Sequence, residues 1–370
     1  MQASALQNGI ALRPSDGEVV GDLAGLPLYR AAPLRDVWYL ALAGRRLAKG
    51  AMTSVTLLGE RLLIGRDAAG APFALRDLCP HRGIPLTCGR FDGREIECRY
   101  HGWRFDASGR CTAIPSLTTR DTLEPSRVRV KSYPAREVEG NIWVFCGDDP
   151  AGAPEIPLAA RGGERLYRLS ETVRFRGDMN NAVISLIDPA HGPYVHESLI
   201  WHVRGTLMDK EKSYIPSPFG FTMVRHPTST NYRAYKAVFG RRETEIEFQL
   251  PGVRIERTRI GRHFVVNMTA MTPLADGEVE MHHMVYFTMG WLNLLRPLAR
   301  PIVRRFIRQD SKVLEMQEVG LRGNPAMLHA GDADLLIRWY YRLHREYIAA
   351  RRDGRAFVNP VKPRVLRYRT

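Results

Sequence analysis

Cys79-Pro80-His81 and Cys98-Arg99-Tyr100-His101 are the stretches on which the reading of this 370-residue chain turns. They set two thiols and two imidazoles about twenty residues apart, and a glycine follows each group, at Gly83 and Gly102. Cysteine and histidine at such short spacing form the pattern of a metal site, because thiolate and imidazole bind soft and borderline cations. The spacings differ, C-x-H in the first loop and C-x-x-H in the second, with residues 82–97 between them. A closed Cys2His2 zinc site uses the same donors. Zinc fingers usually group their two cysteines and then their two histidines, whereas each loop here supplies one of each, cysteine first.

This arrangement resembles the Rieske iron–sulfur pattern. By that resemblance Cys79 and Cys98 hold one iron of a [2Fe–2S] cluster and His81 and His101 the other. The two histidines then raise the reduction potential above that of an all-cysteine cluster. The run Ile96-Glu-Cys-Arg-Tyr-His-Gly-Trp-Arg-Phe105, followed by Asp106-Ala-Ser-Gly-Arg-Cys111, is similar to the second ligand loop and next hairpin of Rieske domains. Respiratory-chain Rieske proteins carry an extra cysteine in each loop, joined as a disulfide. Ile84 and Tyr100 stand at the comparable places here, which points to the lower-potential kind that feeds an oxygenase.

Around these loops the chain is long enough for two domains, each with its own core, and its 44% hydrophobic content is ordinary for a soluble protein. The 54 Lys and Arg against 39 Asp and Glu leave a net charge of +15. Such an excess suits an acidic redox partner or an anionic membrane surface. Nucleic acid is not expected, because no basic–aromatic binding module accompanies the charge. Of the five cysteines, Cys88, Cys111 and Cys146 lie outside the loops. An odd number with no framework spacing fits free, mostly buried thiols in a reducing compartment. Met1–Gly21 lacks the basic and apolar regions of a signal peptide, and the longest apolar run, Val285–Leu295, is shorter than the roughly 18 residues of a membrane span. A cytoplasmic protein is expected, with peripheral contact on the inner face of a membrane as the variant.

Residues 1–35 read as an irregular lead-in. From Asp36 to Asp149 short β-type runs (Ser54–Leu58, Arg61–Ile64, Pro72–Leu75, Asn141–Cys146) alternate with turn signals at Asp67-Ala-Ala-Gly70 and Ala107-Ser-Gly109. A small antiparallel β domain, 36–149, with both metal loops, follows from this. The Pro- and Gly-rich Asp148–Pro157 is the linker candidate, and 150–370 forms the second domain. There Tyr167–Arg174, Thr222–Val224, Ala234–Val238, Thr244–Gln249, Val253–Arg257, Phe264–Met271 and Val279–Thr288 read as strands. Met179–Ile187, Asn293–Glu318 and Ala333–Arg351 read as helices. The expected class is α+β, with a curved antiparallel sheet gripped by helices.

A second group of donors lies in this domain. Asp188-Pro-Ala-His191-Gly-Pro-Tyr-Val-His196 puts two histidines near an acid just after a helix. Taken alone, such a pair fits incidental placement as well as metal binding. A mononuclear iron site needs two histidines and one carboxylate with positions left open. In the later helix Ile302, Phe306, Asp310 and Leu314 recur every four residues, so Asp310 shares an apolar stripe. Arg300, Arg304 and Arg308 form a separate stripe. A carboxylate on a buried face must be paired or metal-bound, and an arginine ion pair satisfies that as well as a metal does. His282 and His283 sit on a strand, so their side chains face opposite ways. His202 reads as a loop or channel residue.

The order of a Rieske domain, D-x-x-H-x-x-x-x-H and a late helix reading Arg-Gln-Asp310-Ser-Lys-Val-Leu-Glu-Met-Gln resembles the catalytic subunits of Rieske non-haem iron oxygenases, over Asp36 to Gln317. The single-chain layout resembles the monooxygenase and demethylase branch. The resemblance implies that His191, His196 and Asp310 bind Fe(II). It implies that Asp188 bridges His191 to His101 of a neighbouring subunit in a homotrimer, so that electrons cross between chains. Many relatives have Asn three residues before the bridging Asp, where this chain has Ser185. The implied activity is hydroxylation or oxidative demethylation with O2. Electrons come from NAD(P)H through a separate ferredoxin or flavin reductase, since no Gly-rich dinucleotide fingerprint occurs in the chain. Val253, Ile255, Val265, Val266, Met268, Met271, Met284, Tyr286 and Phe287 suggest a mainly apolar pocket for an aromatic or polycyclic substrate, sterol-like ones included. Trp291–Arg308 has the basic amphipathic pattern of a membrane-surface segment. The competing class is an electron carrier whose second domain binds a ligand without catalysis.

Overall fold

Two strands that are apolar but for Asn141 at the start of one hold the two halves of the molecule together. These are β1 (Trp38–Ala43) and β11 (Asn141–Phe145), every residue of which is buried. A strand buried on both faces reads as a continuous apolar run rather than an alternating one. One face, with Trp38, Leu40, Trp143 and Phe145, packs on the second domain's sheet. The other, with Tyr39, Ala41, Ile142 and Val144, joins a core shared with the second domain's helices. In the computed structural model, which describes residues 31–147, 149–160, 167–196, 207–227, 242–275, 277–325, 327, 329 and 331–370, this pair is extended by β10 (Ala135–Val138) in the order β1-β11-β10.

Two four-stranded sheets complete the first half. One runs β2-β3-β4-β9, from β2 (Ala51–Leu57), β3 (Glu60–Arg66), β4 (Pro72–Arg76) and β9 (Ser132–Tyr133). The Asp67–Gly70 turn closes β3 on β4 as expected: Gly70 N–H donates to the Asp67 carbonyl at 3.0 Å, and Asp67 Oδ1 accepts from the Gly70 and Ala71 amides. The other sheet is built from β5 (Arg90–Phe91), β6 (Glu95–Glu97), β7 (Arg104–Asp106) and β8 (Cys111–Ala113), and the metal loops are attached to it.

The second half is an eight-stranded antiparallel sheet. Its strands are β12 (Tyr167–Arg176), β13 (Asp209–Ser217), β14 (Gly220–Pro227), β15 (Arg242–Gln249), β16 (Val253–Ile260), β17 (His263–Pro273), β18 (Glu278–Phe287) and β19 (Arg364–Arg369). The order is β12-β18-β17-β16-β15-β14-β13-β19, so a six-stranded meander is flanked by one strand from each end of the domain. Helix α1 (Met179–Ile187) packs on β17, beside α3 (Arg296–Leu321) and α4 (Leu335–Arg352). A short helix, α2 (Gly192–Val195), follows α1. Leu336, Trp339, Tyr340, Leu343 and Tyr347 form one face of α4 and are buried in the shared core.

Three expectations change. Most apolar residues of β16–β18 do not line a pocket: Val253, Ile255, Val266, Met268, Met284 and Tyr286 pack under β1 and β11, and of the expected set only Met271 lines the cavity. Alternation assigns residues to two faces, and here the first domain took the apolar one. The apolar stripe of α3 begins later than its spacing suggests. Ile302 is 62% exposed, and the buried positions are Ile307, Ser311, Leu314 and Leu321, because the first turns of the helix stand clear of the core. Strands β13 and β19 are additional elements. Their outward residues are charged and joined across the pair, Asp209 to Arg369 at 2.7 Å and Glu211 to Arg367 at 2.8 Å. The expected strand at Ala234–Val238 and His202 lie outside the described residues.

Asp178 caps α1, accepting from the Asn181 amide at 3.0 Å. Burial, the largest influence, pushes its carboxyl up to about 7, against amide hydrogen bonds that pull it down. The native state therefore keeps a proton that the unfolded chain, with an ordinary value of 3.8, releases earlier. That contribution to stability is full below about pH 4 and is lost as pH rises through about 7. Asp178→Asn keeps an acceptor but never ionises. It should gain on the parent protein by about 2 kcal/mol between pH 5 and pH 8. Thermal unfolding of both proteins at the two pH values checks this, and an unchanged difference between them refutes it.

Candidate metal centres

The two loops of the first domain fold as one turn used twice. Cys79 N–H donates to the Ile84 carbonyl and Cys98 N–H to the Trp103 carbonyl, both at 2.8 Å. Gly83 N–H returns to the Cys79 carbonyl at 2.9 Å and Gly102 N–H to the Cys98 carbonyl at 3.0 Å. Both glycines have positive φ, +74° and +70°, a conformation that costs side-chain-bearing residues. This is why a glycine follows each ligand group. The turns bury the Cys79 and Cys98 sulfurs and set the His81 and His101 rings 4.6 Å apart between centroids. His81 is fixed from behind by Trp103, stacked at 4.6 Å and 7°.

The donors at these loops fit a cluster. His81 Nδ1 is buried with no hydrogen-bond partner, as expected of a nitrogen whose lone pair serves a metal. Burial pushes the Cys79 thiol up to about 11, so only a metal's charge makes a thiolate there at neutral pH. Desolvation, with the nearby His81 and Arg82, holds His101 below the usual imidazole range. The remaining cysteines form no disulfide; Cys111 and Cys146 are buried and Cys88 is exposed.

In the second domain the end of α1, the short α2 and the middle of α3 converge. Pro189 stops α1 at Asp188, whose amide still donates to the Ile184 carbonyl at 3.0 Å. The chain then turns so that His191 and His196 flank α2. His191 Nδ1 donates to the Asp188 carbonyl at 3.0 Å and His196 Nδ1 to Gln309 Oε1 at 3.3 Å. Each ring's Nε2 is thereby left with its lone pair. These atoms lie 3.7 and 3.2 Å from Asp310 Oδ1, and ligand atoms of all three residues sit within 4.8 Å of one another. Phe306 stacks on His196 at 3.9 Å. Asp310 Oδ1 is buried and accepts no hydrogen bond. Burial also lowers the basicity of His191. Two lone pairs and a carboxylate aimed at one point fit a divalent cation and leave an open side toward the cavity.

The carboxylate of Asp188 differs from expectation in its contacts. Its Oδ1 accepts from the Ala190 amide at 2.7 Å, while Oδ2 stands 3.8 Å from His191 Nδ1, so the backbone rather than the side chain holds that ring. Burial pushes this carboxyl above its usual range. No hydrogen bond or ion pair among the described residues joins Asp188 to His101.

The triad opens into a cavity of about 380 Å³. His283 lines it, with Nδ1 2.8 Å from Thr269 Oγ1, while His282 lies on the opposite face near Glu280. Burial pushes both imidazoles down to about 4. The walls also carry charged residues: Lys210 and Lys212 from β13, and Arg254 and Glu256 from β16. Sequence reading missed these. The signal that could have found them was the alternation in Asp209-Lys-Glu-Lys212, which places acids and lysines on opposite faces of any strand formed there.

Residues 37–134 match the family described as the Rieske [2Fe-2S] domain. The 3-chlorobenzoate-3,4-dioxygenase oxygenase subunit of Comamonas testosteroni is 36% identical over 149 residues, 40% of this chain and 34% of that protein. The 4beta-methylsterol monooxygenase of Methylococcus capsulatus is 40% identical over 121 residues, 33% of this chain and 32% of that protein. The chain thus spans about a third of the length of these curated relatives. In fold, the structure of the Pseudomonas putida CBB5 NdmA QL mutant with theobromine matches 91% of this chain and 98% of that chain, with a TM-score of 0.71 at 17% identity. Residues 37–134 therefore belong to the Rieske [2Fe–2S] domain family, and the chain as a whole shares the fold of that solved structure.

Proposed function

We propose that the protein is a terminal oxygenase, which uses O2 and externally supplied electrons to hydroxylate or oxidatively demethylate an aromatic or polycyclic substrate. The observation that carries this is the buried, unpartnered Asp310 Oδ1 facing His191 and His196 in a chain that also carries a Rieske domain. Ferrous iron at such a triad supplies dioxygen activation: one O2, two electrons and two protons give one oxygen in the C–H bond and one in water. His191 and His196 are oriented by the acceptors at their Nδ1 atoms, and Asp310 adds the negative charge. The apolar wall of the cavity, with Met271, Met281 and Phe248, supports a ring-bearing substrate. The two relatives act, by their names, on a chlorobenzoate and on a methylsterol.

Electrons reach the cluster from NAD(P)H through a separate ferredoxin or flavin reductase. They then pass from His101 of one subunit to Asp188 of the next in a homotrimer. Exposure supports this arrangement: Tyr100, beside His101, is 54% exposed and Tyr194, between the triad histidines, is 64% exposed. Unpaired thiols support a reducing compartment. Among the described residues no helix is long and apolar enough to cross a membrane. Trp291, Leu294, Leu298 and Ile302 are exposed on a stretch with no Asp or Glu from Met281 to Gln309 and with five arginines. That combination supports peripheral binding to anionic lipid.

The reconstituted protein should contain about three irons per chain with two acid-labile sulfides, and Asp310→Ala about two. Elemental analysis decides between the oxygenase and a pure electron carrier, for which the parent protein would also hold two. Asp188→Asn should keep both centres and cut turnover by about 10–100-fold; normal turnover in that variant removes the proposed electron path. In co-sedimentation, vesicles containing phosphatidylglycerol should bind the protein more than pure phosphatidylcholine vesicles do. Leu294→Glu/Leu298→Glu should abolish the difference, and equal binding of the two vesicle types counts against membrane contact.

A further inference from the structure

Helix α3 is apolar on two opposite sides, and the fold uses only one of them. Ile307, Leu314 and Leu321 are buried against the core. At about 100° per residue, Leu298, Ile302, Val313, Met316 and Val319 fall within about 60° of one line on the far side. They are 68%, 62%, 38%, 65% and 64% exposed. Single exposed apolar residues are ordinary, but a stripe along a whole helix marks a contact surface. The segment Trp291–Ile302 covers only its first end. The stripe continues past Ile302 for about four further turns.

The charges of α3 are sorted in the same way. Arg305 and Lys312 lie on the outer line and are exposed, and neither has an ion-pair or side-chain hydrogen-bond partner among the described residues. Gln309, between them, is half-buried and turned to His196. The acids lie elsewhere: Asp310 faces the histidines, and Glu315 and Glu318 fall about 100° or more from the line. An outer face that is apolar and basic discriminates between the surfaces that could cover it. A second copy of α3, packed antiparallel about Gln309, would set Arg305 beside the other copy's Lys312 and hold like charges out of water. A negatively charged bilayer takes both kinds of side chain, and it is flat over the roughly 39 Å that the 26 residues of α3 span. Trp291, 61% exposed, stands at one end, as aromatic residues do at a lipid–water boundary.

We propose that α3 lies flat on an anionic bilayer from Trp291 to Val319, so that a single helix separates the lipid from the metal centre. The contact at Leu294 and Leu298 rests on the membrane reading above, and its continuation to Val319 rests on the outer line of α3 alone. The other side of the same helix lines the cavity with Phe306, Ile307 and Asp310. The triad then sits about one helix diameter, roughly 10 Å, behind the headgroups. The bilayer supports the helix that carries Asp310, and it fixes which side of the molecule faces lipid.

Co-sedimentation of the iron-loaded protein with phosphatidylglycerol-containing vesicles tests the continuation apart from the membrane reading. Met316→Glu/Val319→Glu should weaken binding about tenfold or more, as Leu294→Glu/Leu298→Glu does. Arg305→Gln/Lys312→Gln should also lose about tenfold. Leu158→Glu/Val358→Glu makes the same charge change as the other Glu pairs, at residues 49% and 66% exposed outside α3, and should stay within about threefold of the parent. The cluster's visible spectrum shows that each variant is folded, and sedimentation velocity follows its oligomeric state. Full binding by Met316→Glu/Val319→Glu beside a loss in Leu294→Glu/Leu298→Glu overturns the proposal and leaves the membrane reading standing. Equal losses in all three Glu pairs reduce the effect to net charge and overturn it too. A smaller oligomer in Met316→Glu/Val319→Glu makes the face a contact between chains, which also overturns it. A parent protein that binds no vesicle defeats both readings.

Discussion

The two-residue period of β13–β18 is the constraint on which this molecule depends. Each strand has one face for the cavity, and in β16 to β18 the other face packs under β1 and β11; the residues cannot be exchanged between faces without shifting register. Ile255 and Met268 seal the sheet to the first domain, while Arg254, Glu256 and Thr269 on the same strands face the cavity. Two buried hydrogen bonds hold the register across the seam. Thr272 Oγ1 donates to the Leu40 carbonyl at 2.8 Å, and Asn141 Nδ2 to Tyr286 Oη at 2.7 Å. Because the apolar side is used by the domain interface, polar groups are left for the ligand side. The bulge at His226 shows how a local break in the period moves one more group to that side.

Both candidate centres meet the same electrostatic problem. A buried carboxylate or thiolate is unstable unless a cation or a set of donors compensates it. At the triad Asp310 Oδ1 has no donor, and the two imidazoles nearest to it use their N–H groups elsewhere. At the loops His81 Nδ1 has no partner and burial opposes ionisation of Cys79. The fold pays for these unsatisfied groups with the rigidity around them: paired Gly turns, the Trp103–His81 stack and the Phe306–His196 stack. A cation bound at either place would therefore stabilise the native state.

How far the sequence could be read follows from the distance over which each feature is determined. The turns of the two Cys–His loops were legible because Cys79, His81 and Gly83 lie within one turn, as do Cys98, His101 and Gly102. Helix α1 was legible to the residue, since Asp178 caps it and Pro189 ends it. The convergence of Asp310 with His191 and His196 depends on packing between segments more than 110 residues apart, and only the resemblance to a family brought them together. Strand β19 was illegible because its partner ion pairs span about 160 residues and half of its own residues are arginine. The cavity face was misread for a different reason. Alternation in β16 to β18 is plain in the sequence, but which side the first domain covers is a property of the tertiary structure.

These distances bear on how the two centres can work together. The loops are anchored in a core of Leu63, Leu75, Ile96 and Phe105, and the triad rests on the separate core under α1 and α4. Neither His81 nor His101 reaches the triad through a hydrogen bond among the described residues. The seam is closed by the apolar face of β1 and β11 and edged by polar contacts, among them Arg45 to Ser170, Arg168 to Asn141 and Tyr347 to the Asp36 carbonyl. The surface beside the triad is different: Asp188 and Tyr194 are accessible there, as Tyr100 and His101 are at the cluster. In the arrangement proposed above, these two surfaces are the ones that meet between neighbouring chains.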